Sequence, residues 1–368
     1  VRRLEYLDSV RGIAAFAVMI YHFIGWRWAD TLDFKVSAML FNGSDAVSLF
    51  FVLSGLVLSW KYFHPDNSLV IDGAHYKNYV INRVIRLYVP LLAALAGYYL
   101  YYHRHDPLKQ LVLEFVLNKY HWIEEALLIR GKHDMYVPAW TLEVEMAASL
   151  CIPFLVLLLR YNRQLFGAFV IMLLVLGSTV ILWELFHFCL GMWIAYYFHR
   201  IKSYDLRNSP LYPYRFVLCL LVFALFSMRH IIRIFPLSDS VTSFMSLIRI
   251  DIFHFTGLAS ALILAYIINS PKLQRFLISY PLLFLGRISY SVYLLHWFFV
   301  VYVMDHWDKL AAYFSTPEQS FSVLLLAVVL STLATATLFN ILVEQPAIRL
   351  GKRVANRFAP AIVLQPTS

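Results

Sequence analysis

The sequence predicts an all-α fold: a polytopic membrane bundle of about ten transmembrane helices with an internal cavity. Three observations carry that prediction. Hydrophobic residues make up 61% of the 368-residue chain and charged residues 14%, against roughly 45–50% and 25% in soluble domains. The apolar residues gather into runs of about twenty, the length of helix that crosses a hydrocarbon core about 30 Å thick. Ionisable residues nonetheless fall inside several runs, where lipid exposure is costly enough to point them toward a polar interior.

In chain order the expected spans are 7–29, 44–63, 83–102, 138–160, 164–182, 184–200, 213–235, 247–269, 282–304 and 321–344, all in one transmembrane domain covering 1–368. The shortest is 184–200. Turn-forming and charged clusters divide them, among them HPDNS at 64–68 and SYDLRNSP at 203–210. The segment 103–137 is the largest outer loop, and its LKQLVLEFVL and WIEEALLI runs read as short helices at the membrane surface. The tail, 345–368, is basic and is expected to lie along an anionic inner leaflet. With the N-terminus cytoplasmic, 20 of the 31 Lys and Arg residues fall on that side, the bias of the positive-inside rule. Both termini are therefore expected in the cytoplasm.

Composition also excludes some classes. The first apolar run is long enough to span and lacks a small-residue cleavage site, so no cleavable signal peptide is expected. Cys151, Cys189 and Cys219 all lie in apolar stretches without CxxC or Cys/His spacing, so neither a disulfide framework nor a metal site is expected. The net charge of +9 is read as membrane topology, with no nucleic acid as partner. The lipid bilayer is the expected partner, and the oligomeric state is left open.

The first span, YLDSVRGIAAFAVMIYHFIGWRW, contains Arg11 and His22. Eleven residues apart, they lie about 16 Å apart along the helix on nearly one face. His22 is either a functional group or a hydrogen-bonding side chain between helices. Before the third span, NRVIRLYVP sets Arg83 and Arg86 three residues apart. Two guanidinium forks on one helical face form a good phosphate site, although a basic flank against lipid headgroups has the same spacing.

The fourth span opens VPAWTLEVEMAAS, with Trp140, Glu143 and Glu145 in its outer half. A carboxylate in a membrane helix needs a partner. A histidine would serve, because a carboxylate on one imidazole nitrogen raises the basicity of the other. The alternatives are an interhelical ion pair for the glutamate and an interfacial belt position for the tryptophan. The eighth span holds Arg249, Asp251 and His254, and the ninth a stripe of Tyr290, Tyr293 and His296. Both histidines also suit hydrogen bonding between helices.

Depth ties some of these together. Counted from Asp8 and Leu282, His22 and His296 each lie fourteen residues in, about 21 Å up. Glu145 lies seven residues below Pro138 in a helix running the other way, about 10 Å under the opposite surface. A shared level is the expectation behind the internal cavity.

The fragments LDSVRGIAAFAVMIYHF, AVSLFFVLSGLVLS, NRVIRLYVP, VPAWTLEVE, FLGRISYSVYLLH and VEQPAIRLGKR together resemble the integral-membrane acyltransferase 3 family, many of whose members O-acylate carbohydrates. The match runs in order over most of the chain. It implies catalytic roles for His22 and Glu145 and binding of an acyl-CoA donor, typically acetyl-CoA, by Arg83, Arg86 and Arg11. It further implies substrate or cavity positions at Trp140, Tyr293, His296, His254 and Ser54, and a bacterial inner (plasma) membrane location. The implied acceptor is a hydroxyl of a carbohydrate or similar molecule, with no metal. In that scheme His22 acts as general base or as the site of an acyl-His intermediate, and Glu145 orients the imidazole. The chain departs from the family at Ser48, where an acidic residue is common, and at Ala147-Ala148-Ser149, where an aromatic pair is common.

Two other classes fit a buried ionisable layer: a transporter or flippase using it as a relay, and a non-catalytic membrane partner that keeps the scaffold. A transporter would ordinarily show an internal repeat or matched broken helices, and neither is visible in the sequence. The loop residues Tyr120, Trp122 and Tyr136 are the expected docking surface for the acceptor.

Overall fold

A computed structural model describes residues 4–28, 32–64, 71–117, 122–129, 136–176, 184–238, 240–241, 243 and 252–358. These residues are 87% helical, with no strand among them. The helices are α1 (Glu5–Trp28), α2 (Leu32–Leu40), α3 (Gly43–Phe63), α4 (Gly73–Tyr102), α5 (Leu108–Val116), α6 (Trp122–Leu127), α7 (Ala139–Tyr161), α8 (Arg163–Leu176) and α9 (Leu185–Tyr196). They continue with α10 (Phe198–Ser203), α11 (Arg215–Phe226), α12 (Met228–Ile234), α13 (Ile252–Asn269), α14 (Pro271–Leu277), α15 (Tyr280–Asp305), α16 (Trp307–Ala311), α17 (Pro317–Phe339) and α18 (Gln345–Phe358).

Seven described segments are long and apolar enough to cross a membrane: Glu5–Trp26, Val36–Phe63, Gly73–Tyr102, Ala139–Tyr161, Ile252–Asn269, Tyr280–Asp305 and Pro317–Arg357. The count of about ten is not confirmed among the described residues. The expected span 213–235 is broken at Ser227 into α11 and α12, bent by 76°, and counts as an eighth only if the pair is one span. The 184–200 span contributes α9, whose 12 residues rise about 18 Å and cannot cross the core alone. In the expected 164–182 span, α8 is 14 residues long, and 177–182 lie outside the described residues, as do 247–251 of the eighth. The break at Ser227 is also a feature that the sequence pattern did not reveal.

The chain divides into two compact units, Val1–Ser68 with Cys151–Ser289 and Leu69–Leu150 with Tyr290–Ser368. In the first, α3 packs against α1, α9 and α13. Glycine sets the closest approaches. A Cβ on Gly55 would stand 2.1 Å from the Phe188 carbonyl oxygen, and one on Gly191 would stand 2.0 Å from that of Val52. A Cβ on Gly12 would meet the Gly286 amide nitrogen at 2.5 Å. The glycines of VRG, VLSG and LGR are thus where backbones touch, the small-residue packing by which membrane helices associate. Around them Phe23, Phe188 and Leu56 are fully buried.

In the second unit, tyrosine hydroxyls join the helices. Tyr79 of α4 donates to the Ser149 carbonyl at 2.8 Å, and Tyr290 of α15 donates to the Leu87 carbonyl at 2.8 Å. Tyr136 donates to the Leu294 carbonyl, and its complete burial pushes the hydroxyl pKa well above the usual value, so it stays a neutral donor. Between α17 and α18 the helix passes through a π turn at Asn340–Glu344. Pro346 explains the turn, since its ring lacks an N–H and crowds the carbonyl of Leu342. Glu344, buried there, accepts from Ser291 and Asn340, each at 2.7 Å.

Alanine at Gly55 or Gly191 is expected to cost about 1–3 kcal/mol through overpacking, read as a lower melting temperature of the detergent-purified protein. Gly73, with nothing within 4 Å of its added Cβ, should accept alanine without loss.

Candidate functional site

The predicted site residues fall into both units. In the second, α4 carries Arg83 and Arg86 as the spacing predicted, but the two differ in setting. Arg83 is buried and its Nη2 donates to Glu145 Oε1 of α7, whereas Arg86 is exposed. The Glu145 side chain remains 24% accessible, so the carboxylate is gripped on one side and still reachable. Arg83 Nε is buried with no hydrogen-bond partner, which leaves the guanidinium able to take a second anionic oxygen. The sequence offered Arg83 a ligand phosphate or lipid headgroups as partners, and not a carboxylate within the chain.

Beside this pair Tyr293 and Thr141 share a hydroxyl–hydroxyl hydrogen bond of 2.6 Å, and Thr141 also donates to the Pro138 carbonyl at 3.1 Å. His296 is fully buried, and its Nδ1 donates to the Tyr293 carbonyl at 2.7 Å. That bond fixes the tautomer and leaves the lone pair on Nε2. Trp140 is half-buried one residue before Thr141.

In the first unit, His22 is half-buried on α1 with its ring centroid 6.0 Å from that of Tyr21. Tyr21 in turn meets the edge of His230, 5.8 Å between centroids. His230 belongs to a polar cluster at the N-terminus of α3 that sequence reasoning missed. Asn42 caps that helix, its Oδ1 accepting from the Asp45 amide at 3.1 Å and from His230 Nε2 at 3.0 Å. Asp45 is completely buried and accepts from Thr256 of α13 at 3.3 Å, and Arg229 Nε stands 3.7 Å from its Oδ1. The bend at Ser227 delivers Arg229 and His230 to this place. Asp45 Oδ2, His230 Nδ1 and Arg229 Nε are buried without hydrogen-bond partners, so two acceptors and a donor stand ready for a further polar group. One signal was available: Asp45 is one helical turn before Ser48, the position where the resemblance led us to expect an acid.

The remaining predicted residues make the following contacts. Arg11 pairs with Asp8 at 3.4 Å. Ser54 is buried beside Gly55, and buried His254 packs on Phe186 with centroids 5.2 Å apart. Arg249, Asp251 and Tyr120 lie outside the described residues. Of the proposed docking surface, Tyr136 is fully buried, so it cannot face an acceptor; Trp122 stacks on Phe115 at 3.6 Å.

These features define a helical membrane protein with buried charge in its interior, and comparison with known proteins supplies the class. A family model described as an acyltransferase domain, Acyl_transf_3, matches residues 4–340, nearly the whole chain. The chain belongs to this acyltransferase family and is a multi-pass membrane protein. Neither a search of curated proteins nor one of solved structures gave a match.

Because Arg83 is bonded within the protein and Arg86 is exposed, Arg83→Ala should lower stability by about 2 kcal/mol, as for loss of a hydrogen bond to a charged group. Arg86→Ala should leave it within about 0.5 kcal/mol. Thermal melting of the two purified variants checks the contrast.

Proposed function

We propose that this acyltransferase moves an acyl group, acetyl in the simplest case, from cytoplasmic acyl-CoA to a hydroxyl of a carbohydrate or similarly hydroxylated acceptor. The observation that carries the acceptor class is the buried cluster of Asn42, Asp45, Arg229 and His230, which reaches His22 through Tyr21. Its open acceptors suit hydroxyl donors and its open donor suits a hydroxyl or ring oxygen. A purely apolar acceptor would leave all three unsatisfied, at a cost of about 1–3 kcal/mol each.

The chemistry then follows in one balanced step. The acceptor hydroxyl oxygen attacks the thioester carbonyl, His22 takes the hydroxyl proton, the carbon–sulfur bond breaks, and the proton passes to the departing thiolate. Glu145, its carboxylate held by Arg83, is the second residue assigned a catalytic role. Arg83 and Arg86, on one face of α4, are assigned to the phosphates of the donor, and Arg11 is assigned separately to donor binding. Support for the donor comes from α18, which packs on α4 through Ala347, Gly351 and Ala355 and leaves Arg349, Lys352 and Arg353 exposed on the same unit. Both termini are assigned to the cytoplasm of a bacterial inner membrane, consistent with the placement of basic residues.

The experiment uses purified protein, radiolabelled acetyl-CoA and a panel of soluble sugars and polysaccharides. His22→Ala should reduce label transfer by about 10²–10⁴-fold while acetyl-CoA still binds; transfer at the wild-type rate rejects the assignment. Arg86→Ala should raise KM for acetyl-CoA with little change in kcat.

A further inference from the structure

We infer that the turn joining α4 to α5 is a zinc-binding site formed by His103, Asp106 and Glu114. His103 follows the last residue of α4, and its amide donates to the Tyr99 carbonyl at 3.1 Å, ending the helix. The Asp106 amide returns to the His103 carbonyl at 3.0 Å, and Pro107 then starts α5. The turn and the helix after it bring three ligands together, an imidazole nitrogen and two carboxylate oxygens, all within 4.8 Å of one another.

The individual geometry argues for a metal over an accident of folding. His103 Nδ1 lies 3.4 Å from Glu114 Oε2. Tetrahedral zinc with bonds of about 2.0–2.1 Å separates its ligands by about 3.3 Å, so these two atoms already stand at a zinc edge. Asp106 Oδ2 is closer, 2.6 Å from the same nitrogen, and must retreat by about 0.7 Å to the same edge. It is the side chain able to do so, at 35% accessible against 1% for His103 and 7% for Glu114.

Neighbouring side chains position two of the three ligands. Gln110 donates to Glu114 Oε1 at 3.2 Å, turning Oε2 toward the histidine. The imidazole is held between Tyr99 and Tyr102, with centroids 4.5 and 5.2 Å away. Such outer contacts orient ligands and are part of metal affinity. An imidazole ligand disfavours calcium and magnesium, which take oxygen, and suits zinc. Charge points the same way, since a divalent cation balances two carboxylates brought beside a nearly inaccessible imidazole. Three protein ligands leave the fourth position to water. The sequence excluded a metal because it sought cysteine and histidine spacing, whereas here two of the three ligands are carboxylates.

The test is zinc content of the full-length protein, purified with a tag free of histidine, supplemented with zinc chloride and desalted. About one zinc per chain is expected by mass spectrometry, with loss in both His103→Ala and Glu114→Gln. A chelator should lower the melting temperature of the wild type and leave that of Glu114→Gln unchanged. Absence of retained zinc in the wild type, or retention in the two variants equal to that of the wild type, overturns the site. Should His103→Ala fail to fold, Glu114→Gln alone decides, and the visible absorption of a cobalt-loaded wild type provides an independent reading: a low-coordinate spectrum supports the site and that of aqueous cobalt overturns it.

Discussion

The constraint on which this structure depends is that a buried polar group in a membrane helix must find its partner within the chain. Water is not there to satisfy it, and an orphan costs several kcal/mol. The Arg83–Glu145 pair is its sharpest expression. Neither residue is a natural occupant of an apolar span, yet each makes the other tolerable, and the carboxylate keeps an accessible side. A pair of this kind contributes little net stability compared with apolar packing. Its presence in the interior therefore speaks for a chemical use. The same constraint explains the tyrosines of the second unit, whose hydroxyls end on carbonyls of Ser149, Leu87 and Leu294.

How much of this was legible in the sequence varied with the kind of signal. Length and apolarity are summed over twenty residues, so the long spans, helices α1, α3, α4, α7, α13, α15 and α17, stand near their expected places. A break depends on one position. Ser227 interrupts a run that reads as continuous, and the clue was the trio Arg229, His230 and Arg233 inside a supposed span. Pairing is less legible still. Spacing put Arg83 and Arg86 on one face, but only tertiary packing could make one buried and the other exposed.

Asp45 is a buried carboxylate that a search for motif identity passes over. The chain has Ser48 where the family resemblance led us to expect an acid, and a scan for identity counts that as a loss. Three residues earlier is one turn up the same face, and there Asp45 sits wholly buried, held by Thr256 and facing Arg229. The carboxylate is thereby moved about 4.5 Å along the helix to the capped end, where backbone amides also favour negative charge. The site is defined by what surrounds the group, and position in the alignment of motifs is a poor substitute for it.

The π turn at Asn340–Glu344 carries the same lesson into the basic end of the second unit. Buried residues on α17 and the turn recur every four positions, at Thr332, Ala336, Asn340 and Glu344, and resume on α18 at Ala347, Gly351 and Ala355. The step from 344 to 347 is three, within the alternation of threes and fours that a period of 3.6 produces. Ala347, Gly351 and Ala355 are thereby buried on the helix that packs against α4, while Arg349, Lys352 and Arg353 face outward. Glu344, held by Ser291 and Asn340, ties the turn to α15, so a buried carboxylate and a proline two residues later anchor the helix that carries this row of positive charge.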